Sequence, residues 1–409
     1  LISQEYDIVA RYQGGNNAGH TVKNERGKFV LNLLPSGILR PNVVCVMGNG
    51  MVIDPHHLDG EINKLREQGI EITPANLKIS DRATITMPYH VAEDGLEEAR
   101  LAKTGAQFGS TKRGIAYAYG DKYMKKTLRM GDLLHLDDAV KKRLITMVDA
   151  KNLVMEGSYN ADPISVDEMW AWLEKYAAIF KDYICDVGQY LADADAAGKK
   201  VLFEAQLGAL RDIDFGIYPY TTSSNVIGAY APIGAGIPGH KLHNSIGVMK
   251  AYSSCVGDGP FTAELAMTEE EKHALREAGH EYGAATGRPR RVGPIDLVAS
   301  RYGVFCQGCD EVALTLLDVL DYMEKIPMVT AYKLTDGTTT RFPMGEALDT
   351  AQPVVEYLPG WHCDITAARK WEDLPQQARD YVEYLEKAVG CKITYISVGA
   401  EREAYIHRG

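Results

Sequence analysis

The chain reads Arg11-Tyr12-Gln13-Gly14-Gly15-Asn16-Asn17-Ala18-Gly19-His20-Thr21 at the end of a short β-rich run, residues 6–12. In open α/β sheets, ligands bind beyond the carboxyl ends of the strands, which is where this stretch falls. Its glycines let backbone N–H groups approach an anion, and Asn17 and Thr21 add side-chain hydrogen bonds. His20 is then a candidate acid or electrostatic stabiliser, since imidazole titrates near neutrality. Spacing alone also fits a glycine-rich turn with a surface histidine.

Short β-rich runs alternate with amphipathic helical stretches along most of the chain. This alternation is typical of a sheet covered by helices. Strands are predicted at residues 6–12, 43–47, 199–204, 312–317, 328–334 and 392–398, and helices at residues 55–68, 91–103, 137–155, 166–196, 269–278 and 375–389. Ser165 is a predicted helix N-cap, and Gly198 and Gly390 are predicted to end helices. We expect one elaborated α/β domain over residues 1–409, with a large, mostly parallel central sheet, helices on both faces and smaller loop and helix subdomains.

Composition restricts the partners. Acidic residues outnumber basic ones, 55 to 44, and the formal net charge is -11. Binding to nucleic acid depends on a basic face, so nucleic acid is not an expected partner. No apolar run reaches the roughly 18 residues of a membrane span, so no membrane partner is expected. The seven scattered cysteines indicate reduced thiols in a cytoplasmic protein, and the lone pair Cys306 and Cys309 lacks the second pair of a zinc site.

Two further polar segments carry groups that suit anions. The first is Gly109-Ser110-Thr111-Lys112-Arg113-Gly114, which combines hydroxyls, amides and two cations. Its order differs from that of a Walker P-loop, so we expect a phosphate cradle of another type, with a solvated basic turn as the alternative. The second, residues 212–225, follows a predicted buried strand and is richer in hydroxyls than a turn requires.

Arginines and a strand-end carboxylate add two more candidates. Residues 283–291 contain Arg288, Arg290 and Arg291. Guanidinium groups pair with carboxylate and phosphate, although a solvated charge run is the alternative. Asp318 ends an apolar strand, where a carboxylate accepts hydrogen bonds from the N1–H and 2-amino group of guanine. An ordinary helix cap explains Asp318 as well.

In this order, the five segments resemble the adenylosuccinate synthetase family. The most specific part is GGNNAGHT at residues 14–21 together with DIDFGIYPYTTSSN at residues 212–225. The resemblance runs from Leu1 to about Arg408, helped by residues 34–39, 257–261 and 317–321. It implies an α/β fold like that of the P-loop NTPases.

The resemblance also implies an activity, a GTP-dependent ligation of L-aspartate to IMP in AMP biosynthesis. Enzymes of this family phosphorylate the oxygen at C6 of IMP, and the aspartate amine then attacks C6 and expels phosphate. Both steps build up negative charge, which positioned donors and Mg²⁺ stabilise. The implied partners are IMP, GTP and L-aspartate, and the implied cofactor is Mg²⁺. The implied assembly is a homodimer in which Lys125 reaches into the neighbouring subunit's site.

Site residues implied by the resemblance fall into three binding sets. His20 is similar to the histidine that assists phosphoryl transfer, and the Gly19 carbonyl to a Mg²⁺ ligand. The implied IMP-binding residues are Asn17, Ala18, Gly19, His20, Thr111, Lys125, Arg129, Leu207, Thr222 and Arg288. The implied GTP-binding residues are Gly19, His20, Thr21, Arg290, Leu316, Leu317, Asp318, Ser397, Val398 and Gly399. The implied aspartate-binding residues are Ala284, Ala285, Thr286, Gly287, Arg288, Pro289 and Arg290.

The chain departs from the family pattern in several places. The family opens with a strand and a GDEGKGK loop, and Leu1 falls just after it. We expect the real polypeptide to carry that piece, because loss of a central strand would leave buried backbone groups unpaired. Substitutions within the motifs are Lys125 for an arginine, Ala285 for a threonine, Asn16 for a histidine, Leu316 for a lysine that stacks on guanine, and Pro289 within the arginines. The nucleotide-binding glutamine aligns with either Gln206 or Leu207.

Two other functions fit these departures. One is a paralogue that ligates aspartate to another purine nucleotide, such as dGMP. The other is a relative without catalytic activity that binds nucleotides.

Overall fold

The computed structural model describes residues 2–24, 26–105, 109–283, 287 and 289–408, without the side chains of residues 23 and 24. The chain forms two compact units, residues 1–207 with 222–241 and residues 208–221 with 242–409. The first unit is therefore discontinuous in sequence, because residues 222–241 belong to it although residues 208–221 belong to the second unit. The expectation of one elaborated domain over residues 1–409 stays a prediction.

A parallel sheet organises the first unit. Its strands are β1 (Ile8–Arg11), β4 (Val44–Met47), β6 (Leu77–Ser80), β8 (Ile184–Cys185) and β9 (Val201–Glu204), in the order β8-β6-β4-β1-β9. Every residue of β1 is buried, because β4 and β9 pair with it on either side. A strand enclosed in this way needs apolar side chains on both faces, and Ile8, Val9 and Ala10 supply them.

The other elements of the first unit are two strand pairs and a set of helices. Strand β2 (His20–Asn24) pairs antiparallel with β3 (Gly27–Leu31), and β5 (Val52–Ile53) pairs parallel with β7 (Thr84–Ile85). The helices are α1 (Pro55–Glu67), α2 (Pro88–Ala102), α3 (Ile115–Met124), α4 (Asp138–Tyr159), α5 (Val166–Phe180), α6 (Val187–Ala196) and α7 (Ala231–Ala235). Leu58, Leu144 and Leu173 bring α1, α4 and α5 into one apolar core.

The second unit contains two larger sheets and one strand pair. Strands β10 (Ile246–Lys250), β14 (Glu311–Thr315) and β18 (Lys392–Ser397) run parallel, and β19 (Tyr405–His407) follows antiparallel to β18. A second sheet joins β13 (Ile295–Asp296), β15 (Lys325–Leu334), β16 (Gly337–Thr339) and β17 (Gln352–Pro359), and β11 (Ser253–Cys255) pairs with β12 (Arg291–Gly293). The helices are α8 (Glu269–Gly279), α9 (Leu297–Gln307), α10 (Glu346–Asp349) and α11 (Gln376–Val389). Val382 and Leu385 of α11 pack into a core with Ile393 of β18.

The predicted α/β class is confirmed, and each predicted strand overlaps an observed one, namely β1, β4, β9, β14, β15 and β18. The predicted helix over residues 166–196 is wrong, because α5, β8 and α6 occupy that range. Asp186 accepts a hydrogen bond from the Gln189 N–H, and this N-cap starts a new helix inside an apolar periodic stretch. The predicted cap at Ser165 is confirmed, and Gly198 and Gly390 both have a φ of 71°. Within the described ranges, no helix is long and apolar enough to cross a membrane.

Candidate active site

The glycine turn, residues 13–16, begins where β1 ends. Gly14 has a φ of 76°, and a Cβ built there would lie 1.6 Å from Gln206 Nε2. A Cβ on Gly15 would lie 2.8 Å from the Val52 carbonyl oxygen. Glycine is favoured at position 14 by its positive φ, since Gln206 Nε2 ends a flexible side chain, and is required at position 15, where a backbone carbonyl leaves no room for a Cβ.

Tyr119 of α3 links this turn to the basic turn, residues 109–114, which directly precedes α3. The Gly14 N–H donates to the Tyr119 hydroxyl at 2.8 Å, and the hydroxyl donates to the Gly50 carbonyl at 2.7 Å. Burial raises the pKa of Tyr119, so the hydroxyl stays protonated. The helix that follows the basic turn is therefore bonded to the glycine turn through one side chain.

Asp94 of α2 holds both ends of the basic turn. Its Oδ1 accepts a hydrogen bond from Ser110 Oγ at 2.6 Å, and its Oδ2 accepts one from the Gly114 N–H at 2.8 Å. Asp94 is buried, whereas residues 111–113 are exposed. Thr111, a predicted IMP-binding residue, therefore lies in an exposed turn whose two ends are held in place by Asp94.

Gln206 lies against the glycine turn, and Leu207 lies at the surface. Gln206 Nε2 donates to the carbonyls of Gly15 at 3.2 Å and Gln13 at 3.3 Å. Its Oε1 is buried, and the described residues supply it no hydrogen-bond partner. Leu207 is 41% exposed with a φ of 69°. Both alignments of the nucleotide-binding position stay open.

The end of the polar run also reaches the glycine turn. Ser224 Oγ donates to Gln13 Oε1 at 3.2 Å, and Gln13 Nε2 donates to the Gln206 carbonyl at 2.7 Å. Thr222, two residues before Ser224, is half-buried. The first unit therefore brings together the glycine turn, the basic turn and residues 222–225.

His20 starts β2 and lies beside the carboxylate that ends β9. His20 Nε2 is 3.9 Å from Glu204 Oε1. Glu204 Oε2 accepts hydrogen bonds from the Ser36 N–H at 2.8 Å and Ser36 Oγ at 2.6 Å. Burial lowers the pKa of His20, the Glu204 carboxylate opposes this, and the Arg11 guanidinium adds to it. The imidazole is therefore mainly neutral near pH 7 and donates from one nitrogen.

Of the other predicted residues of this stretch, residues 17–19 lie between the turn and β2, and Thr21 lies within β2. Asn17 and Ala18 are half-buried, and Gly19 and Thr21 are exposed. Asn32 Nδ2 donates to the Ala18 carbonyl at 3.3 Å, which holds the chain just before Gly19. The backbone at Gly19 is thus accessible to a ligand.

Lys125 and Arg129 follow α3, and both are exposed. Lys125 ends the helix with a φ of 62°. Burial and the neighbouring Arg129 lower the pKa of Lys122. Tyr123 and Met124, next to Lys125, are 69% and 57% exposed. The end of α3 therefore combines cations with an exposed apolar pair.

In the second unit, the predicted GTP-binding residues lie at the carboxyl ends of the paired strands β14 and β18. The Leu317 N–H donates to the Ser397 carbonyl at 3.3 Å, and Ser397 Oγ donates to the Gly399 carbonyl at 3.1 Å. Val398 is buried, and Asp318 follows Leu317 directly. These residues were predicted to act together, and the fold places them together.

Asp318 offers an oxygen that lacks a donor. Its Oδ1 is buried, and no hydrogen-bond partner for it occurs in the part of the chain that the structure describes. Burial raises the pKa of Asp318, and the carboxylates of Asp321 and Asp364 add to this. A buried carboxylate oxygen without a donor is costly, which indicates a ligand that supplies N–H groups. Leu316, at the position of the family's lysine, has a φ of 60°.

Four residues of the arginine-rich segment lie outside the described residues, namely Ala284, Ala285, Thr286 and Arg288. Gly287 and Pro289 are exposed. Arg290 Nη1 donates to Glu281 Oε2 at 2.9 Å, and the Arg290 N–H donates to the Glu281 carbonyl at 2.9 Å. Arg290 is therefore fixed by a neighbouring carboxylate.

Metal binding has little support from side chains. Over the described residues, no group of three or more His, Cys, Asp or Glu could hold a metal ion. Mg²⁺ in nucleotide enzymes keeps several waters and binds substrate phosphates, with only one or two protein ligands. The accessible backbone of Gly19 can supply one such protein ligand. A metal site formed by side chains alone has no support among the described residues.

Sequence reasoning missed the roles of Glu204, Tyr119 and Asp94. Glu204 carries a usable signal, since it is a carboxylate at the carboxyl end of a predicted strand. Tyr119 and Asp94 lie inside helices, where no local pattern distinguishes them from packing and surface residues.

The family was tested by comparison with known proteins. The sequence model for adenylosuccinate synthetase matches residues 1–406. The chain belongs to the adenylosuccinate synthetase family. The adenylosuccinate synthetase of Caldanaerobacter subterraneus subsp. tengcongensis is 43% identical over 406 residues, which cover 99% of this chain and 94% of that protein. The solved structure of fully ligated adenylosuccinate synthetase from Plasmodium falciparum is 33% identical, has a TM-score of 0.91 and covers 100% of this chain and 95% of that one.

These adenylosuccinate synthetases indicate a ligase of purine and AMP biosynthesis that forms adenylosuccinate from IMP and aspartate. The family is GTP-dependent and generally requires Mg²⁺. The cyanophage S-2L succinoaminodeoxyadenylate synthetase, solved with dGMP and dATP, is 17% identical with a TM-score of 0.57, and covers 99% of this chain and 88% of that one. That likeness shows the fold alone, so it does not favour dGMP as the substrate here.

Proposed function

We propose that this chain ligates L-aspartate to IMP through a 6-phosphoryl-IMP intermediate and releases adenylosuccinate, GDP and phosphate. The observation that carries the proposal is the pairing of His20 with Glu204 beside the glycine turn. An oriented imidazole next to accessible backbone donors is the arrangement that a phosphoryl transfer needs.

The reaction proceeds in two balanced steps. The γ-phosphoryl group of GTP moves to O6 of IMP, N1 of IMP releases its proton, and GDP leaves. The aspartate nitrogen then attacks C6, the C6–O6 bond breaks, phosphate departs with O6, and the attacking nitrogen loses a proton. His20 donates its one N–H to the oxygens that gain charge, and the nearby Glu204 carboxylate stabilises positive charge that develops on the ring. Mg²⁺, with the Gly19 carbonyl as one ligand, would neutralise phosphate charge.

Each substrate is assigned to a group of residues. IMP is assigned to residues 17–20, Thr111, Lys125, Arg129, Leu207, Thr222 and Arg288. GTP is assigned to residues 19–21, Arg290, residues 316–318 and residues 397–399. The unpartnered Asp318 oxygen supports the guanine end of this assignment, since it matches the N–H donors of guanine. Aspartate is assigned to residues 284–290.

The assembly that we infer is a homodimer. Exposed Tyr123 and Met124 support an interface at the end of α3, since large exposed apolar side chains next to one another mark contact surfaces. Lys125 follows them directly and is exposed, so it would reach across such an interface. We also infer a cytoplasmic location, which the seven free cysteines support.

The test is an assay of the protein expressed from its native gene, with IMP, GTP, Mg²⁺ and L-aspartate. The expected product is adenylosuccinate, identified by mass spectrometry. IMP labelled with a heavy oxygen isotope at O6 should deliver the label to the released phosphate, which separates the phosphoryl intermediate from direct displacement of water.

Replacing IMP with dGMP in this assay distinguishes the paralogue and the relative without catalytic activity from the proposed ligase. Product formed with dGMP and not with IMP would establish the paralogue. Tight binding of nucleotides without product from either purine would establish a relative without catalytic activity. Label that stays out of phosphate would exclude the intermediate.

A further inference from the structure

A buried carboxylate, Glu281, binds two cations in the second unit. The Glu281 side chain is 2% exposed. Its Oε1 accepts from Lys250 Nζ at 2.5 Å and from the Tyr252 hydroxyl at 2.6 Å, and its Oε2 accepts from Arg290 Nη1 at 2.9 Å. Burial alone would raise the pKa of Glu281, but the hydrogen bonds from Lys250 and Tyr252 outweigh it and hold that pKa below its usual value. Glu281 is therefore an anion at neutral pH.

The cluster carries more positive charge than one carboxylate neutralises. Lys250 and Arg290 are both cations, and each side chain is 32% exposed while Glu281 is enclosed. Among these three side chains, two cations on one buried carboxylate leave a net positive charge, and both cations are partly exposed. Buried and half-buried charge of one sign is costly unless a counter-ion arrives.

Neither cation is saturated by Glu281. A guanidinium group has five N–H donors, and Glu281 receives only Nη1 of Arg290. Arg290 Nε is buried, and the described residues offer it no hydrogen-bond partner. Lys250 Nζ has three donors, of which Glu281 and Ser254 Oγ, at 2.6 Å, accept two. Among the described residues, donors therefore remain on both cations for a further anion.

The cluster adjoins the strand that leads to the strand-end aspartate of the same unit, since Lys250 pairs with Thr315 of β14. Burial raises the pKa of Tyr252, Glu281 raises it further, Arg290 opposes this, and the carboxylate of Asp318 adds a smaller contribution. Lys250 is the last residue of β10, and β10 pairs with β14, whose end leads to Asp318.

We propose that Lys250 and Arg290 form one anion-binding pair held in position by Glu281, so that Lys250 is a further ligand-binding residue and Glu281 a positioning residue. The inference rests on the proposed function, which assigns Arg290 to the phosphates of GTP and the carboxylates of aspartate. Both ligands present the same chemistry, an anionic oxygen that accepts charged N–H donors. An ordinary buried ion pair would instead need no ligand.

The test compares Lys250→Met with Lys272→Met in the full chain. Lys272 forms an ion pair of the same length, 2.5 Å, with Glu269 in the same unit, outside the cluster. Lys250→Met should weaken binding of GTP or of aspartate about tenfold or more, which is the loss expected for a hydrogen bond to a charged group. The affinity of Lys250→Met for IMP should change less than about twofold. The affinities of Lys272→Met for GTP and aspartate should also change less than about twofold. A change confined to GTP assigns the pair to phosphate, and one confined to aspartate assigns it to carboxylate.

Two more variants separate positioning from folding. Lys250→Arg keeps the charge and should recover much of the lost affinity. Glu281→Gln should raise the KM of the same ligand as Lys250→Met and leave kcat less affected, because the amide cannot accept from both cations at once. Urea unfolding of each variant accompanies these measurements.

Calorimetric titration gives the affinities without turnover, so the result stands apart from the activity assay. A wild-type protein that makes no adenylosuccinate would refute the proposed function. The affinities of the wild type and of Lys250→Met for GTP could still be compared, so the inference would be tested separately. Equal affinities of both proteins for GTP and aspartate, or a loss that appears only as lower unfolding stability, would overturn the inference.

Discussion

Glu204 Oε1 lies 3.9 Å from His20 Nε2, and Ser36 holds the other carboxylate oxygen through its N–H and hydroxyl. The distance is too long for a direct hydrogen bond, yet it places a fixed negative charge beside the imidazole. Catalytic hydrogen bonds are often long before ligands bind and shorten in the complex. The two residues come from different strands, β2 and β9, so the fold rather than the local sequence creates the pair.

His20→Ala should lower kcat by a factor on the order of a hundred or more. The dissociation constant of IMP should stay within about threefold, because the imidazole acts mainly on charge that develops during phosphoryl transfer. Steady-state kinetics and calorimetry give the two values. Near-normal turnover would exclude His20 from the chemistry.

Glu204→Gln should lower the pKa of His20 further below its usual value. The carboxylate is the group that raises this pKa, while burial and Arg11 lower it. Removing the charge leaves the lowering effects unopposed, so the neutral ring persists to lower pH. An NMR titration of the histidine ring proton measures the shift, with the His20 signal assigned by its loss in His20→Ala. We expect kcat to fall about tenfold.

Ser36→Ala is the matched control for this variant, since it removes one hydrogen bond to Glu204 and keeps the charge. Its His20 pKa should stay closer to that of the wild type. If Glu204→Gln left the histidine titration unchanged, the carboxylate would not act on the ring.

The sequence predicts most of the framework because buried strands carry strong local signals. The apolar run before the glycine turn indicates β1, and its neighbours β4 and β9 are equally apolar. A break in a helix is harder to predict, since α5 ends at Phe180, β8 follows, and the cap at Asp186 starts α6, all within one continuous periodic pattern. Such a cap stabilises by about 1 kcal/mol, which is enough to choose where a helix starts.

The candidate site is predictable from sequence where one short segment contains all the ligand-binding groups, as in the glycine turn and at Asp318. The groups that support them are not, because Asp94 meets Gly114 and Glu281 meets Lys250 only after folding. A carboxylate on a helix looks the same in sequence whether it faces solvent or holds a loop. Long-range pairing decides its role.

Asp94→Ala should raise the KM for IMP about tenfold while the KM for GTP changes little. The substitution leaves Ser110 Oγ and the Gly114 N–H without their shared acceptor, so the basic turn loses its fixed base. Asp94→Asn provides the matched control, because its amide oxygen still accepts one of these hydrogen bonds. Steady-state kinetics with each substrate varied in turn gives the KM values. Equal KM values for IMP in wild type and Asp94→Ala would show that the turn needs no such support.

Asp318→Asn should raise the KM for GTP by roughly ten- to a hundredfold and make xanthosine triphosphate the better donor. In the proposed site the carboxylate would accept from the N1–H and 2-amino group of guanine, whereas an asparagine amide would donate to the C2 carbonyl of xanthine. Asp321→Asn is the control, since Asp321 belongs to the same acidic neighbourhood. Competition between the two nucleotides measures the preference. A GTP preference that survives in Asp318→Asn would place the guanine elsewhere.

Asp296→Asn should change how the stability of the protein depends on pH. Burial raises the pKa of Asp296 to about 6, although hydrogen bonds from the Ala299 N–H, the Tyr332 hydroxyl and the Val298 N–H oppose this. The folded state then holds the proton more tightly than the unfolded state, so the contribution of Asp296 is fully present below the usual pKa of 3.8 and is lost as pH rises through about 6. The free energy of unfolding should fall by on the order of 2–3 kcal/mol across that window relative to Asp296→Asn, which cannot ionise. Urea unfolding at several pH values measures it. A course for Asp296→Asn that runs parallel to the wild type would show that Asp296 does not titrate in this range.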